Sequence, residues 1–161
     1  MTLGDSGTRR EARERALGLL YEAEAKSLDP DELIAFLPAA PAAFAVELVH
    51  GVAEHTDDLD SMIGAASKGW RVERMPAVDR ALLRLAVYEL AHRPDVPAAA
   101  VLTEAVDLAG EYSTERSSRF VNGVLSALAA ELRPGELPDD EPVPEGAVPD
   151  EAVPDEAAPD R

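Results

Sequence analysis

Apolar residues along the chain recur at the three-to-four spacing of helices, and one segment carries far more of them than a surface helix needs. From Val78 to Leu90 only Asp79, Arg80, Arg84 and Glu89 interrupt the apolar run, so apolar surface covers most of the circumference rather than one stripe. The length of the run, its Leu and Ala content and the Pro76 placed to open it favour helix over strand. Such a helix must be covered on several sides, and it is expected to form the buried spine of the protein.

The flanking segments read as amphipathic helices. Arg9–Lys26 carries Ala12, Ala16, Leu19, Leu20 and Ala23 as a buried stripe, while Met1–Thr8, polar and glycine-containing, is expected to be loose. In Asp29-Pro30-Asp31-Glu32, Asp29 can cap, Pro30 fits the first helical position and Glu32 can close the box. This predicts a short helix over Asp31–Leu37, ended by Pro38. A longer helix is expected from about Ala42 to Ser67, with Phe44, Leu48, Val52, Leu59 and Ile63 inward. Beyond the spine, Arg93-Pro94-Asp95-Val96-Pro97 is a turn. In Pro97–Tyr112 the set Val101, Leu102, Ala105, Leu108, Ala109 and Tyr112 faces one way, and Glu104, Asp107 and Glu111 face the other. Ser113 or Thr114 caps a last helix, Glu115–Leu132, with Val121, Val124, Leu125, Leu128 and Leu132 as its buried line. The fold class is all-α, a compact bundle of about six or seven helices.

Composition supports this reading. At 46% hydrophobic but only 4% aromatic residues, the core must be built from Ala, Leu and Val, which suit close-packed helices better than a sandwich. The absence of cysteine excludes disulfides and thiolate metal sites and fits a reducing compartment. With no basic-then-apolar leader and no apolar span of about 20 residues, neither export nor membrane insertion is expected, and the cytoplasm is the expected location.

The net charge of −17 argues at first against a nucleic-acid partner, but its distribution changes that. Residues 134–161 hold ten acids and one arginine, leaving −8 for residues 1–133. From Val143 to Ala157 they run as three five-residue repeats that begin with Val-Pro, a composition expected to be disordered. Charges further apart than about 8 Å are largely screened at physiological salt, so local clusters decide whether a surface holds phosphate.

Two such clusters stand out. Arg9, Arg10, Arg13 and Arg15 crowd the first turns of the first helix, against the preference of its dipole for acids. This is either an arginine-rich grip on phosphate or a solvated face salt-bridged by Glu11 and Glu14. In the last helix Arg116, Arg119, Phe120 and Gly123 share a surface distinct from the buried line. Guanidinium groups beside a ring are suited to phosphates and stacked bases of single-stranded nucleic acid; the alternative is that Phe120 packs on a neighbouring helix. Gly123 inside a helix costs about 1 kcal/mol relative to Ala, which a close approach by another helix or a ligand would explain.

Other candidates carry less. His50, Glu54, Asp57 and Asp58 lie roughly on one helical face where a hard metal could sit, but with one imidazole and no residues in view to orient the ligands an ordinary polar face is the reading, and no metal or cofactor is expected. Gly4-Asp5-Ser6-Gly7 matches the nucleophile loop of chymotrypsin-like proteases only superficially, since no β-rich framework exists to hold a triad. Neither a phosphate loop nor a nucleophile elbow is present, and an enzyme is not expected.

Taken together, Arg-Arg-Glu-Ala-Arg-Glu-Arg-Ala-Leu (9–17) with Tyr21, Phe44 with Leu48-Val49-His50-Gly51-Val52, Leu59-Asp60, Val78-Asp79-Arg80-Ala81-Leu82-Leu83-Arg84, Tyr88-Glu89-Leu90, Asp95-Val96-Pro97, Glu104-Ala105-Val106-Asp107-Leu108-Ala109 and Phe120-Val121-Asn122-Gly123-Val124-Leu125 resemble, in order and spacing, the NusB family of bacterial transcription antitermination factors. The resemblance spans roughly Arg9–Leu132. It implies two packed helical subdomains over residues 9–133, between a flexible 1–8 and the acidic 134–161. It implies binding to the boxA element of nascent ribosomal-operon RNA jointly with NusE, a small-subunit ribosomal protein, within an antitermination complex on RNA polymerase. The family's RNA surface falls on Arg9, Arg10, Arg13, Arg116, Arg119 and Phe120, and Tyr21, Glu73, Asp79 and Glu89 are candidates for the protein partner. Glu11 stands where some relatives have arginine, and Arg116 where some have an acid. The acidic repeats lie outside the family core. A homodimer is compatible with the resemblance. Two other readings are a helical dimerisation or scaffold module without an RNA role, and the detached NusB-like region of an RNA cytosine methyltransferase. The acidic tail in place of a cofactor-binding domain speaks against the last.

Overall fold

The computed structural model describes residues 3–138, with side chains from Arg9 onward. Six α-helices follow one another: α1 (Leu3–Ala25), α2 (Pro30–Ala35), α3 (Ala43–Ala66), α4 (Ala77–His92), α5 (Ala98–Tyr112) and α6 (Glu115–Leu132), with a 3-10 turn at Val72–Arg74 before α4. The boundaries follow the chemistry of their residues. The Asp29 carboxylate accepts from the amides of Asp31 and Glu32 at the start of α2. Pro76 and Pro97 stand immediately before α4 and α5, and Thr114 caps α6 through the Ser117 amide at 3.0 Å. The start of α1 differs from expectation. It is helical from Leu3 rather than from Arg9, because each residue added to an existing helix gains a hydrogen bond without a new nucleation cost.

The spine is α4. Ala81, Leu82, Leu83, Leu85, Ala86, Val87, Tyr88 and Leu90 are all buried, and the helix packs against α1, α3, α5 and α6. Around it α1, α2 and α3 form one group and α5 and α6 a tight hairpin, which accounts for burial on every side. Among the described residues no neighbouring helix makes the close approach expected at Gly123, which leaves a ligand as the other explanation. Gly123 faces open space, whereas a Cβ on Gly51 of α3 would lie 2.1 Å from the ring of Tyr88; the missing side chain is what lets α3 sit on α4. Four residues on, His55 leaves helical geometry (φ −111°, ψ 15°) and bends α3, with the Thr56 hydroxyl donating to the Val52 carbonyl at 2.7 Å. There the His55 ring stacks on His92 with centroids 4.3 Å apart.

Three inward assignments need correction. Tyr112 at the end of α5 is half exposed, and Leu132 and Phe44 are only partly buried, since each lies at a helix end where the neighbouring helices no longer cover it. The folded body also runs past Arg133. The Arg133 guanidinium is buried and donates to the carbonyls of Leu90, Val96, Glu89 and Arg93 at 2.7–3.2 Å, so one side chain satisfies the end of α4 and the turn after it. Arg133 also pairs with Glu136 at 2.9 Å. Glu136 in turn accepts from the Ala98 amide at 2.8 Å, closing the start of α5, and Leu137 packs on the core. Residues 134–138 therefore belong to the body. The expected disorder of the acidic repeats falls on residues 139–161, outside the described residues.

Gly51→Ala should destabilise the protein by about 1–3 kcal/mol through overpacking against Tyr88, read by urea denaturation. A chain ending at Arg133 should be less stable than one ending at Pro138 by about 1–2 kcal/mol for the missing Glu136 cap and pair, read by the same denaturation.

Candidate nucleic-acid interface

The arginines of α1 divide by their place in the helical register. Arg13 stands three residues before Ala16 and four before Leu17, both buried, so it falls in the buried stripe, and it is itself only 6% exposed. Its guanidinium grips Glu89 of α4, 2% exposed, through Nε and Nη2 at 2.8–3.2 Å. This paired geometry is what makes two buried charges tolerable. Arg13 is therefore corrected from phosphate ligand to an internal strut between α1 and α4. Arg9, Arg13 and Arg93 also surround the ring of Phe44, 5.1–5.7 Å from its centroid, which anchors the start of α3 by cation–π attraction.

Arg10 points to a different neighbour. It lies within 3.5–3.7 Å of Glu104, Asp107 and Glu111, successive acids on one face of α5. The Glu104 charge, above all, holds the Arg10 guanidinium more firmly protonated than usual. The expected outward face of α5 is thus turned towards α1. Tyr112 lies at the same end, near Glu14 of α1; loss of solvent, with Glu14 and Glu111 nearby, raises the pKa of its phenol. Arg10 therefore lies along α5 as far as Glu111, whereas Arg9 lies at Phe44; α6 starts three residues after Tyr112. Arg10 is thus set beside the end of α5 that leads into α6 and its Arg116 and Arg119.

On α6, Arg116 and Arg119 are exposed, with Arg119 3.6 Å from Glu115. Phe120 is partly buried against the core and tilts onto Trp70 with centroids 5.8 Å apart. The packing alternative holds for much of its ring, leaving arginine as the main chemistry of this surface. Trp70 itself lies before the 3-10 turn, where no helical register pointed to it.

The fold and this corner can be set beside known proteins. The model of the NusB family matches residues 10–130. The transcription antitermination protein NusB of Acidothermus cellulolyticus is 46% identical over 142 residues, covering 81% of this chain and 98% of that protein. The chain belongs to the NusB family. The NusB protein of Salinispora arenicola is 44% identical over 128 residues, covering 75% of this chain and 94% of its own. Among solved structures, NusB of T. maritima superposes with a TM-score of 0.70 at 30% identity, over 76% of this chain and 91% of that one. A crystal structure of antitermination factors NusB and NusE in complex with dsRNA superposes with a TM-score of 0.64 at 30% identity, over 77% and 97%.

The four residues expected to meet a protein partner of this NusB chain separate by burial. Tyr21 is 46% exposed and Glu73 is exposed; both remain available. Asp79 and Glu89 are buried, at 3% and 2% exposure, and are corrected to internal roles, because α4 is covered where they stand. The signal for both was present in the spacing. Asp79 precedes Leu82, Leu83 and Ala86 by three, four and seven residues, the register of a core position. Among the described residues no group of three or more His, Asp or Glu side chains could hold a metal ion, and none of the helices is long and apolar enough to cross a membrane.

Breaking the internal strut separates structure from surface. Arg13→Ala should cost about 3–5 kcal/mol of stability by stranding the Glu89 charge, whereas Arg13→Met with Glu89→Leu should cost far less. Urea denaturation of both chains checks this, and equal losses would contradict the buried-pair account.

Proposed function

We propose that this chain acts as a transcription antitermination factor, an adaptor that binds the boxA element of nascent ribosomal-operon RNA together with the ribosomal protein NusE, and joins these to the antitermination complex on RNA polymerase. The observation carrying the reading is that Arg10 of α1 reaches Glu111 at the end of α5, shortly before α6 opens with the exposed Arg116 and Arg119, in a NusB fold. A structural neighbour that contains NusE and double-stranded RNA supports the same partners. Acting on nascent RNA with a ribosomal protein, the chain works in the cytoplasm.

The mechanism makes and breaks no bond. Guanidinium groups neutralise phosphates and release their counterions, so affinity falls as salt rises. Arg119, 73% exposed at the side chain, meets a phosphate directly, and Arg116 beside it extends the same grip. Arg10 must first leave Glu104, Asp107 and Glu111, so the acids of α5 compete with RNA for it. Base recognition rests on the uncovered part of Phe120. NusE, as a basic partner of an acidic chain, meets the side that carries Tyr21 and Glu73, where surface charge steers association.

Fluorescence anisotropy with a single-stranded boxA RNA, with and without NusE, tests the reading. Arg119→Ala should weaken binding and lower the salt slope by about 0.7 for each phosphate it leaves unneutralised. Glu111→Gln, by loosening the hold on Arg10, should strengthen binding by about threefold, the scale of an exposed ion pair. Binding that is indifferent to all of these changes and to NusE would return the chain to a scaffold role.

A further inference from the structure

Asp79 lies in the first turn of α4, inside the protein, and takes no part in the surface described above. Its Oδ2 accepts a 2.8 Å hydrogen bond from the Ser117 hydroxyl of α6. The Ser117 oxygen also lies 2.8 Å from Ser113 Oγ and 3.1 Å from Thr114 Oγ1. A hydroxyl has a single proton. With that of Ser117 given to the carboxylate, Ser113 and Thr114 donate theirs to Ser117, and all three hydroxyls of the α5–α6 corner are directed towards Asp79. Thr114 Oγ1 keeps a lone pair for the Ser117 amide and so caps α6.

Two helix N-termini meet at this carboxylate. Asp79 occupies the first turn of α4 and bonds to the first turn of α6, and each N-terminus carries partial positive charge that favours an anion. Oδ1 is buried and accepts no hydrogen bond among the described residues, so the charge is held by the Ser117 hydroxyl and the two dipoles. Arg116 precedes Ser117 directly, and Arg119 follows two residues later.

We infer that Asp79 is a positioning residue for the α6 side of the nucleic-acid surface. Through Ser117 it fixes the rotation of the first turn of α6 against α4, and with it the direction in which Arg116 and Arg119 project. The inference rests on the RNA reading above and adds to it a residue that touches no RNA. An asparagine carbonyl at position 79 can still accept from Ser117. An alanine leaves three hydroxyls without a final acceptor.

The full chain is compared with Asp79→Ala, Asp79→Asn and Ser117→Ala by amide hydrogen exchange and by anisotropy with the boxA RNA. In Asp79→Ala and Ser117→Ala the amides of Ser117–Phe120 should exchange about tenfold faster, the scale of a broken hydrogen bond to a charged group, while those of α1 and α3 keep their rates. RNA affinity should fall by a similar factor at an unchanged salt slope, because every phosphate keeps its arginine. Asp79→Asn should restore both to within about threefold. Uniform acceleration along the whole chain would make Asp79 a general stability residue and overturn the inference, as would unchanged affinity beside a loosened α6. An unmodified chain that binds no RNA defeats the RNA reading instead, and the local exchange pattern still decides whether Asp79 holds the α6 turn. Ser117→Ala removes one hydroxyl and keeps the test decisive if Asp79→Ala does not fold.

Discussion

A helix covered on several sides leaves its charged side chains little water, and the structure is arranged around that constraint on α4. Its four polar interruptions are each answered by a different neighbour. Asp79 takes the Ser117 hydroxyl of α6, and Glu89 takes the Arg13 guanidinium of α1. Arg84 pairs with Asp60 of α3, and Arg80 reaches Glu24 of α1 and the carbonyls of the 3-10 turn. Replaced by apolar groups of similar volume, a buried ion pair is often no loss of stability. What these contacts add is direction, because each admits one rotation of the spine relative to the helix that answers it.

This also explains how much could be read from the chain alone. Helix order, the Asp29 and Thr114 caps, the bounds of α6 and, apart from Phe44, Tyr112 and Leu132 at helix ends, the apolar register of the longer helices follow from local chemistry and spacing, and they stand. The site residues were legible as a set but not in their roles. Arg13, Asp79 and Glu89 share the register of buried leucines and alanines. Reading them as surface groups followed from their charge, when position was the better guide. Burial of a charge depends on a partner 38 or 76 residues away in sequence, and no local pattern encodes that pairing. The same limit applies to Arg133, whose carbonyl ligands lie about forty residues earlier, and to Gly51, whose reason for lacking a side chain is a ring on another helix.

The electrostatics of the corner differ from those of a plainly basic surface. Arg10 is flanked by three acids of α5, and Arg119 has Glu115 beside it. On the proposed function, polyanion binding here would exchange carboxylates for phosphates and not fill an empty basic patch. Such exchange lowers affinity for any given RNA and penalises most strongly a ligand that brings few phosphates to the corner. In a chain with a net charge of −17, this favours partners that supply further contacts of their own, as a joint complex with a basic protein does.

The strut between Arg13 and Glu89 has a consequence for the order in which the protein can be made. Synthesis delivers α1 first, and the carboxylate that neutralises its inward guanidinium follows 76 residues later. Until α4 has emerged that arginine has no buried partner, and although α1 can already meet α2 and α3, the side of it that faces α4 stays open to solvent. The helices made first therefore complete their packing only once the spine has arrived.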